Sequence, residues 1–107
     1  MGVAFIPVAA PGELQEGDVK PVDLGGREIL VAVVDGERYA FARQCPHEAT
    51  DLLGNCEIMA GGQLRCDGHS YCYDLRSGQC LAPPGGPALG VLPLEEHDGQ
   101  LCVKLEW

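Results

Sequence analysis

Apolar residues in this chain fall in short runs broken by glycine and proline, and that spacing predicts strands joined by tight turns. Val3 to Val8 forms the first run and is closed by Pro11-Gly12. Asp18 to Leu24 alternates weakly and ends at Gly25-Gly26. Glu28 to Val34 is strongly apolar and β-branched; its core, Ile29 to Val34, is the longest apolar run. Asp35-Gly36 then predicts a hairpin into Arg38 to Ala42, the clearest local signal in the chain. Further strands are expected over Gln63 to Cys66, Tyr71 to Leu75, Gln79 to Ala82, Val91 to Glu95 and Leu101 to Leu105. Ser77-Gly78 and Asp98-Gly99 supply two more hairpin signals. Gln44 to Ala60 shows little period, and Pro83-Pro84-Gly85-Gly86-Pro87 is stiff and turn-rich. A helix is expected only as a turn near Glu13 to Gln15 or Thr50 to Leu53. The fold class is therefore all-β, with roughly eight to ten strands.

Length and composition narrow the choice. With 107 residues and 11.4 kDa, one domain is expected, without room for separate nucleotide and substrate domains. A hydrophobic content of 46% with 21% charged residues suits a globular chain able to hold its own core. Sixteen acidic residues against seven basic ones give a net charge of −9. That balance argues against nucleic acid and against an anionic membrane, both of which select clustered Lys and Arg. An acidic surface suits plain solubility, and it also suits attraction of a basic protein partner. The apolar run at Ile29 is far too short to span a bilayer. The N-terminal stretch lacks a basic flank and is broken by Pro7 and Pro11, so no signal peptide is expected. Six cysteines without such a signal point to a reducing, cytoplasmic setting, where metal binding outranks disulfides.

Two short motifs carry the candidate chemistry: Cys45-Pro46-His47 and Cys66-Asp67-Gly68-His69, with eighteen residues between His47 and Cys66. Each offers one thiolate and one imidazole from a loop beside a strand end. Four readings compete. The residues could be unconnected core cysteines and surface histidines. They could form a structural zinc site, although the C-x-H spacing is tight for one tetrahedral ion. A Cys-His nucleophile pair is a third reading, with nothing visible to orient the imidazole. The fourth is a [2Fe-2S] centre with two cysteines on one iron and two histidines on the other.

The paired motifs resemble the signature of the Rieske proteins, in particular the small Rieske-type ferredoxins. The likeness continues through His69-Ser70-Tyr71-Cys72-Tyr73-Asp74 and Arg76-Ser77-Gly78 to the Pro83-Pro84 loop and the Asp98-Gly99 hairpin. It implies a Rieske-type fold: an antiparallel β-sandwich or barrel base, residues 1–43 and 87–107, with a small cluster-binding subdomain, about residues 44–86, inserted in it. Together these make one domain over residues 1–107. It implies Cys45 and Cys66 on the buried iron and His47 and His69 on the outer iron. Pro83 and Pro84 would cover the cluster, and Tyr73 would donate a hydrogen bond to a ligand thiolate. A cluster with two neutral imidazoles is less negative than a four-cysteine one, and Rieske potentials lie at about −150 to +300 mV.

The resemblance also implies a function: a one-electron carrier rather than an enzyme. It would take electrons from an NAD(P)H-dependent flavoprotein reductase and pass them to a terminal, ring-hydroxylating oxygenase. Such a carrier is expected to be monomeric, with transient contacts through a small docking face. Acidic residues such as Glu48 and Asp51 are candidates for steering a basic partner. Two other readings stay open, the Rieske-like small subunit of a nitrite reductase-type enzyme and a zinc-stabilised interaction module.

Several positions depart from the high-potential members of the family. Thr50 and Gly68 stand where those carry a disulfide between the ligand loops. Tyr71 replaces a serine, and Ala49 and Ser70 stand where glycine is common. These changes predict a potential in the lower part of the range, raised somewhat by Tyr73. Of the other cysteines, Cys56, Cys72, Cys80 and Cys102 are expected to be buried, and Cys72 and Cys80 are not expected opposite each other. His97 reads as a solvated hairpin residue and Trp107 as a packing anchor.

Overall fold

The structure is a computed structural model that describes every residue except Glu48, His69 and Trp107. Eleven strands are formed by the described residues. They are β1 (Val3–Ala9), β2 (Val19–Asp23), β3 (Glu28–Val34), β4 (Glu37–Ala42), β5 (Cys56–Met59) and β6 (Gln63–Cys66). The remainder are β7 (Cys72–Asp74), β8 (Cys80–Ala82), β9 (Val91–Leu92), β10 (Leu94–His97) and β11 (Gln100–Glu106). All pairing is antiparallel, in three sheets: β1-β11-β10, β2-β3-β4-β9 and β5-β6-β7-β8.

The central sheet, β2-β3-β4-β9, explains the sequence pattern. Side chains alternate faces along a strand. Ile29 and Val31 of β3 and Ala40 of β4 join one core with Val8, Leu92, Leu101 and Val103 of the terminal sheet and β9. Leu30, Ala32 and Val34 of β3, with Tyr39 and Phe41 of β4, join a second core with Leu64, Tyr73, Leu75 and Cys80 of the third sheet. Strand β3 is thus covered on both faces, and a strand so placed has no polar side to alternate with. That is why Ile29 to Val34 reads as an unbroken apolar run.

Turn chemistry sets the register. Asp35-Gly36 links Val34 to Glu37, and Asp98-Gly99 links His97 to Gln100, with positive φ at all four turn residues. This is the two-residue hairpin geometry that Asp-Gly favours. Prolines sit where a missing N–H is tolerated. Pro7 and Pro21 lie on the edge strands β1 and β2, and Pro93 separates β9 from β10.

The chain leaves the central sheet after β4, builds the third sheet between residues 56 and 82, and returns at β9. Gly78 ties that sheet back to the base. Its carbonyl accepts from Leu89 N at 2.8 Å, and at φ +81° a Cβ there would lie 2.2 Å from the Leu89 carbonyl oxygen.

Some expectations do not hold. Neither segment proposed as helical forms one. Near Glu13, the Glu13 carboxylate accepts from Ala10 N and the Asp18 carboxylate accepts from Gln15 N, giving capped turns. The hairpin signalled by Ser77-Gly78 does form, between β7 and β8, with a loop wider than two residues because Tyr73 pairs with Cys80. Strand β5 was not foreseen within Gln44 to Ala60; it is short, at a sheet edge and only half-buried. No helix among the described residues is long and apolar enough to cross a membrane.

Candidate metal centre

Two loops of matching construction lie at one end of the third sheet. In the first, Cys45 N donates to Thr50 O at 2.9 Å and Ala49 N to Cys45 O at 2.7 Å. In the second, Cys66 N donates to Tyr71 O at 2.8 Å and Ser70 N to Cys66 O at 2.9 Å. Each loop is therefore closed on its own cysteine by the same pair of bonds. Each also turns through a left-handed residue four positions after that cysteine, Ala49 at φ +55° and Ser70 at φ +58°. This is the physical reason glycine suits both positions.

The sulfurs point inward. Cys45 is 1% exposed and Cys66 2%, both within the core shared by the central and third sheets. His47 is only half-buried, its ring stacked on that of Tyr71 with centroids 4.0 Å apart and planes 17° apart. His69 lies outside the described residues, as does Glu48. The loops approach each other closely: a Cβ on Gly68 would meet Thr50 Oγ1 at 3.1 Å and Cys66 Sγ at 3.7 Å. Thr50 and Gly68 are thus neighbours, as the sequence comparison of disulfide positions expected. No disulfide links the six cysteines, and Cys72 faces Ala82 rather than Cys80.

Tyr73 completes the interior. It is fully buried on β7, with its hydroxyl 3.4 Å from Cys45 Sγ. Burial raises its phenol far above the ordinary range, and the Cys45 sulfur adds to the shift, so the phenol keeps its proton and is able to donate to a Cys45 thiolate. Cys80, opposite Tyr73, donates from Sγ to Pro83 O at 3.3 Å and so pins the exposed Pro83-Pro84 loop. Cys56 faces Cys66 across β5 and β6. Its thiol is pushed up to about 11, first by burial and then by Asp67 and Cys66.

The first loop has an ionic base that sequence reading missed. Arg43 grips Asp51 through Nε at 2.9 Å and Nη2 at 3.0 Å, and reaches Glu28 through Nη1 at 2.7 Å. Asp51 also accepts from Leu53 N. Its carboxylate is held below its usual range by Arg43 first and Leu53 N second. Asp51 stays exposed while paired to Arg43, which it shares with Glu28, so the group of three carries a net negative charge. The opposite charges bracketing Cys45 to Thr50 were the available sequence signal. His97 is exposed but not merely solvated, since its ring lies 4.1 Å from that of Phe5. Cys80 and Cys102 are buried as expected, Cys56 and Cys72 half-buried. Trp107 lies outside the described residues.

Among the described residues, no three His, Cys, Asp or Glu side chains converge as a single-ion site would require. A binuclear cluster asks less of each half, two ligands per iron. Two buried thiols, a hydroxyl donor beside one of them and a half-exposed imidazole fit a soft, thiolate-bound cluster with one outer edge.

The Rieske [2Fe-2S] domain family matches residues 4–93. The ferredoxin component of the naphthalene 1,2-dioxygenase/salicylate 5-hydroxylase systems of Ralstonia sp is 28% identical over 102 residues, covering 95% of this chain and 96% of that protein. The ferredoxin of carbazole 1,9a-dioxygenase from Nocardioides aromaticivorans IC177 superposes with a TM-score of 0.80 at 22% identity, over 92% of this chain and 95% of that one. The same TM-score, at 26% identity, is found in the reduced complex between oxygenase and ferredoxin in carbazole 1,9a-dioxygenase. There the match covers 92% of this chain but only 27% of the other. The chain belongs to the Rieske [2Fe-2S] domain family, and its full-length relatives are ferredoxin components of oxygenase systems.

Proposed function

We propose that this protein is a one-electron carrier in which Cys45 and Cys66 hold the inner iron, and His47 and His69 the outer iron, of one [2Fe-2S] cluster. The observation that carries this assignment is the duplicated loop, which presents one buried cysteine from each of two matched frames. When bound, the cluster supplies reversible one-electron chemistry. The chain's own residues supply the rest. Cys45 and Cys66 bury the thiolate side, and the Tyr73 hydroxyl donates toward Cys45 Sγ, favouring added negative charge. His47 keeps the other side near the surface. Cys80 holds the Pro83-Pro84 loop in place beside Tyr73.

The partners we propose are a flavoprotein reductase upstream and a terminal oxygenase downstream, met transiently by a monomer in the cytoplasm. The relatives named above support the oxygenase, and net charge supports a basic docking surface on the partners. Lys20, Arg38, Arg43, Arg65 and Lys104 are all spent in local ion pairs, so an acid excess faces outward.

Low-temperature EPR of the dithionite-reduced protein, with iron and zinc analysis, tests the assignment. A rhombic signal of low average g, and two irons per chain, is expected. Cys45→Ser and Cys66→Ser should abolish it, and His69→Cys should shift it toward a cysteine-ligated signal. One zinc per chain with no EPR signal would overturn the carrier reading.

A further inference from the structure

The two loops are fixed at their bases by different means, yet the imidazole of the first rests on a side chain of the second. Tyr71 is a firm platform. Its carbonyl accepts from Cys66 N at 2.8 Å, and its ring packs on the core that contains Cys66, Tyr73 and Leu75. His47 follows Pro46 in a turn rather than in a strand. A nearly parallel contact, 4.0 Å between centroids and 17° between planes, restricts the imidazole's tilt far more than an aliphatic neighbour would. A ligand imidazole is usually oriented through a bond to its distal nitrogen. Here a ring face adds a second constraint and covers that face from water.

We propose that Tyr71 is the positioning residue for His47: its ring fixes the imidazole plane and clamps the first ligand loop to the second. The inference rests on His47 being an iron ligand, as proposed above. The aromatic ring, not the hydroxyl, is the working part, so phenylalanine should replace it.

The test uses the full chain carrying its cluster, as wild type, Tyr71→Phe and Tyr71→Leu, the last keeping apolar contact with the core while losing the planar face. Pulsed ENDOR of the reduced protein reads the nitrogen couplings of the ligand imidazoles. Midpoint potential and the rate of cluster bleaching are measured alongside. Tyr71→Phe should match wild type in all three. Tyr71→Leu should broaden or shift one nitrogen coupling, move the potential, and bleach between about twofold and tenfold faster, the range a lost aromatic pair predicts. Should Tyr71→Leu fail to retain its cluster, the cluster-free chains still answer. The ring protons of His47 should be shifted upfield by NMR in wild type and Tyr71→Phe, and not in Tyr71→Leu. Wild-type couplings, potential and bleaching in Tyr71→Leu would overturn the proposal, as would Tyr71→Phe behaving like Tyr71→Leu. Absence of two nitrogen couplings in wild type would instead overturn the ligand assignment.

Discussion

The two cysteine-bearing loops share one backbone design but are anchored by different physics. The loop from Cys66 to Tyr71 closes the β6–β7 hairpin, so ladder hydrogen bonds hold it on both sides, and Leu64 of β6 is wholly buried in the core that includes Cys66. The loop from Cys45 to Thr50 follows β4 without a hairpin partner. Its ends are gathered by the Gln44–Asp51 bridge, the Arg43 grip on Asp51 and Glu28, and Leu52 N donating to Arg43 O. Coulomb screening by salt weakens exposed ion pairs and leaves apolar and ladder contacts unscreened. One end of the site should therefore respond to solution conditions, and the other should not. The Ala49 and Ser70 amides, bonded alike to Cys45 O and Cys66 O, are matched reporters for hydrogen exchange.

The largest effect is expected from Leu64→Ala, which opens a cavity in the core next to the β6–β7 hairpin. A fully buried leucine lost this way costs about 2–5 kcal/mol. The cluster-free chain should melt about 10 °C lower or more, with protection at Ser70 falling further than at Ala49. Equal losses at both amides would show that the loops are not separately anchored.

Next comes Tyr73→Phe, which removes the hydroxyl beside Cys45 Sγ. Loss of that donor should lower the midpoint potential by about 60 mV, one order of magnitude in a one-electron equilibrium. An unchanged midpoint in a redox titration would remove Tyr73 from the tuning of this site.

A smaller change is expected from acid. Asp51 has a folded pKa below its ordinary 3.8, so its contribution is complete above that value and is lost as pH falls through the lower one. Protection at Ala49, taken relative to the intrinsic exchange rate at each pH, should fall below about pH 4, with protection at Ser70 unmoved. High salt, or Arg43→Met at neutral pH, should do the same by less than about fivefold. Equal loss of protection at both amides would contradict the division.

The smallest effects belong to Ala49→Gly and Ser70→Gly. Relief of a left-handed residue and the entropy of glycine nearly cancel, leaving each within about 1 kcal/mol of wild type. Thermal unfolding should give the two variants the same sign if the frames are equivalent.

How much of this was legible in the sequence follows from where each determinant resides. The apolar run of β3, the Asp35-Gly36 and Asp98-Gly99 hairpins, and the two loop motifs are local, so spacing and turn chemistry disclosed them. Tyr73 could be named because a resemblance supplied its role; nothing in the alternation of β7 did. Strand β5 escaped because a half-buried edge strand of mixed composition carries no period. The His47–Tyr71 stack and the Arg43–Asp51 grip arise from pairs brought together only by folding. The bracketing charges hinted at the second, and nothing hinted at the first.

The two-faced burial of β3 bears on portability. The core around Cys45 and Cys66 includes Leu30, Ala32 and Val34, with Tyr39 and Phe41, all from the base. Residues 44–86 moved alone into another scaffold would leave that floor behind and expose Leu64, Tyr73 and Leu75 to water. A graft that hopes to carry the redox site must bring the β3–β4 hairpin with it. The smallest transplantable unit is consequently larger than the segment that holds the cysteines.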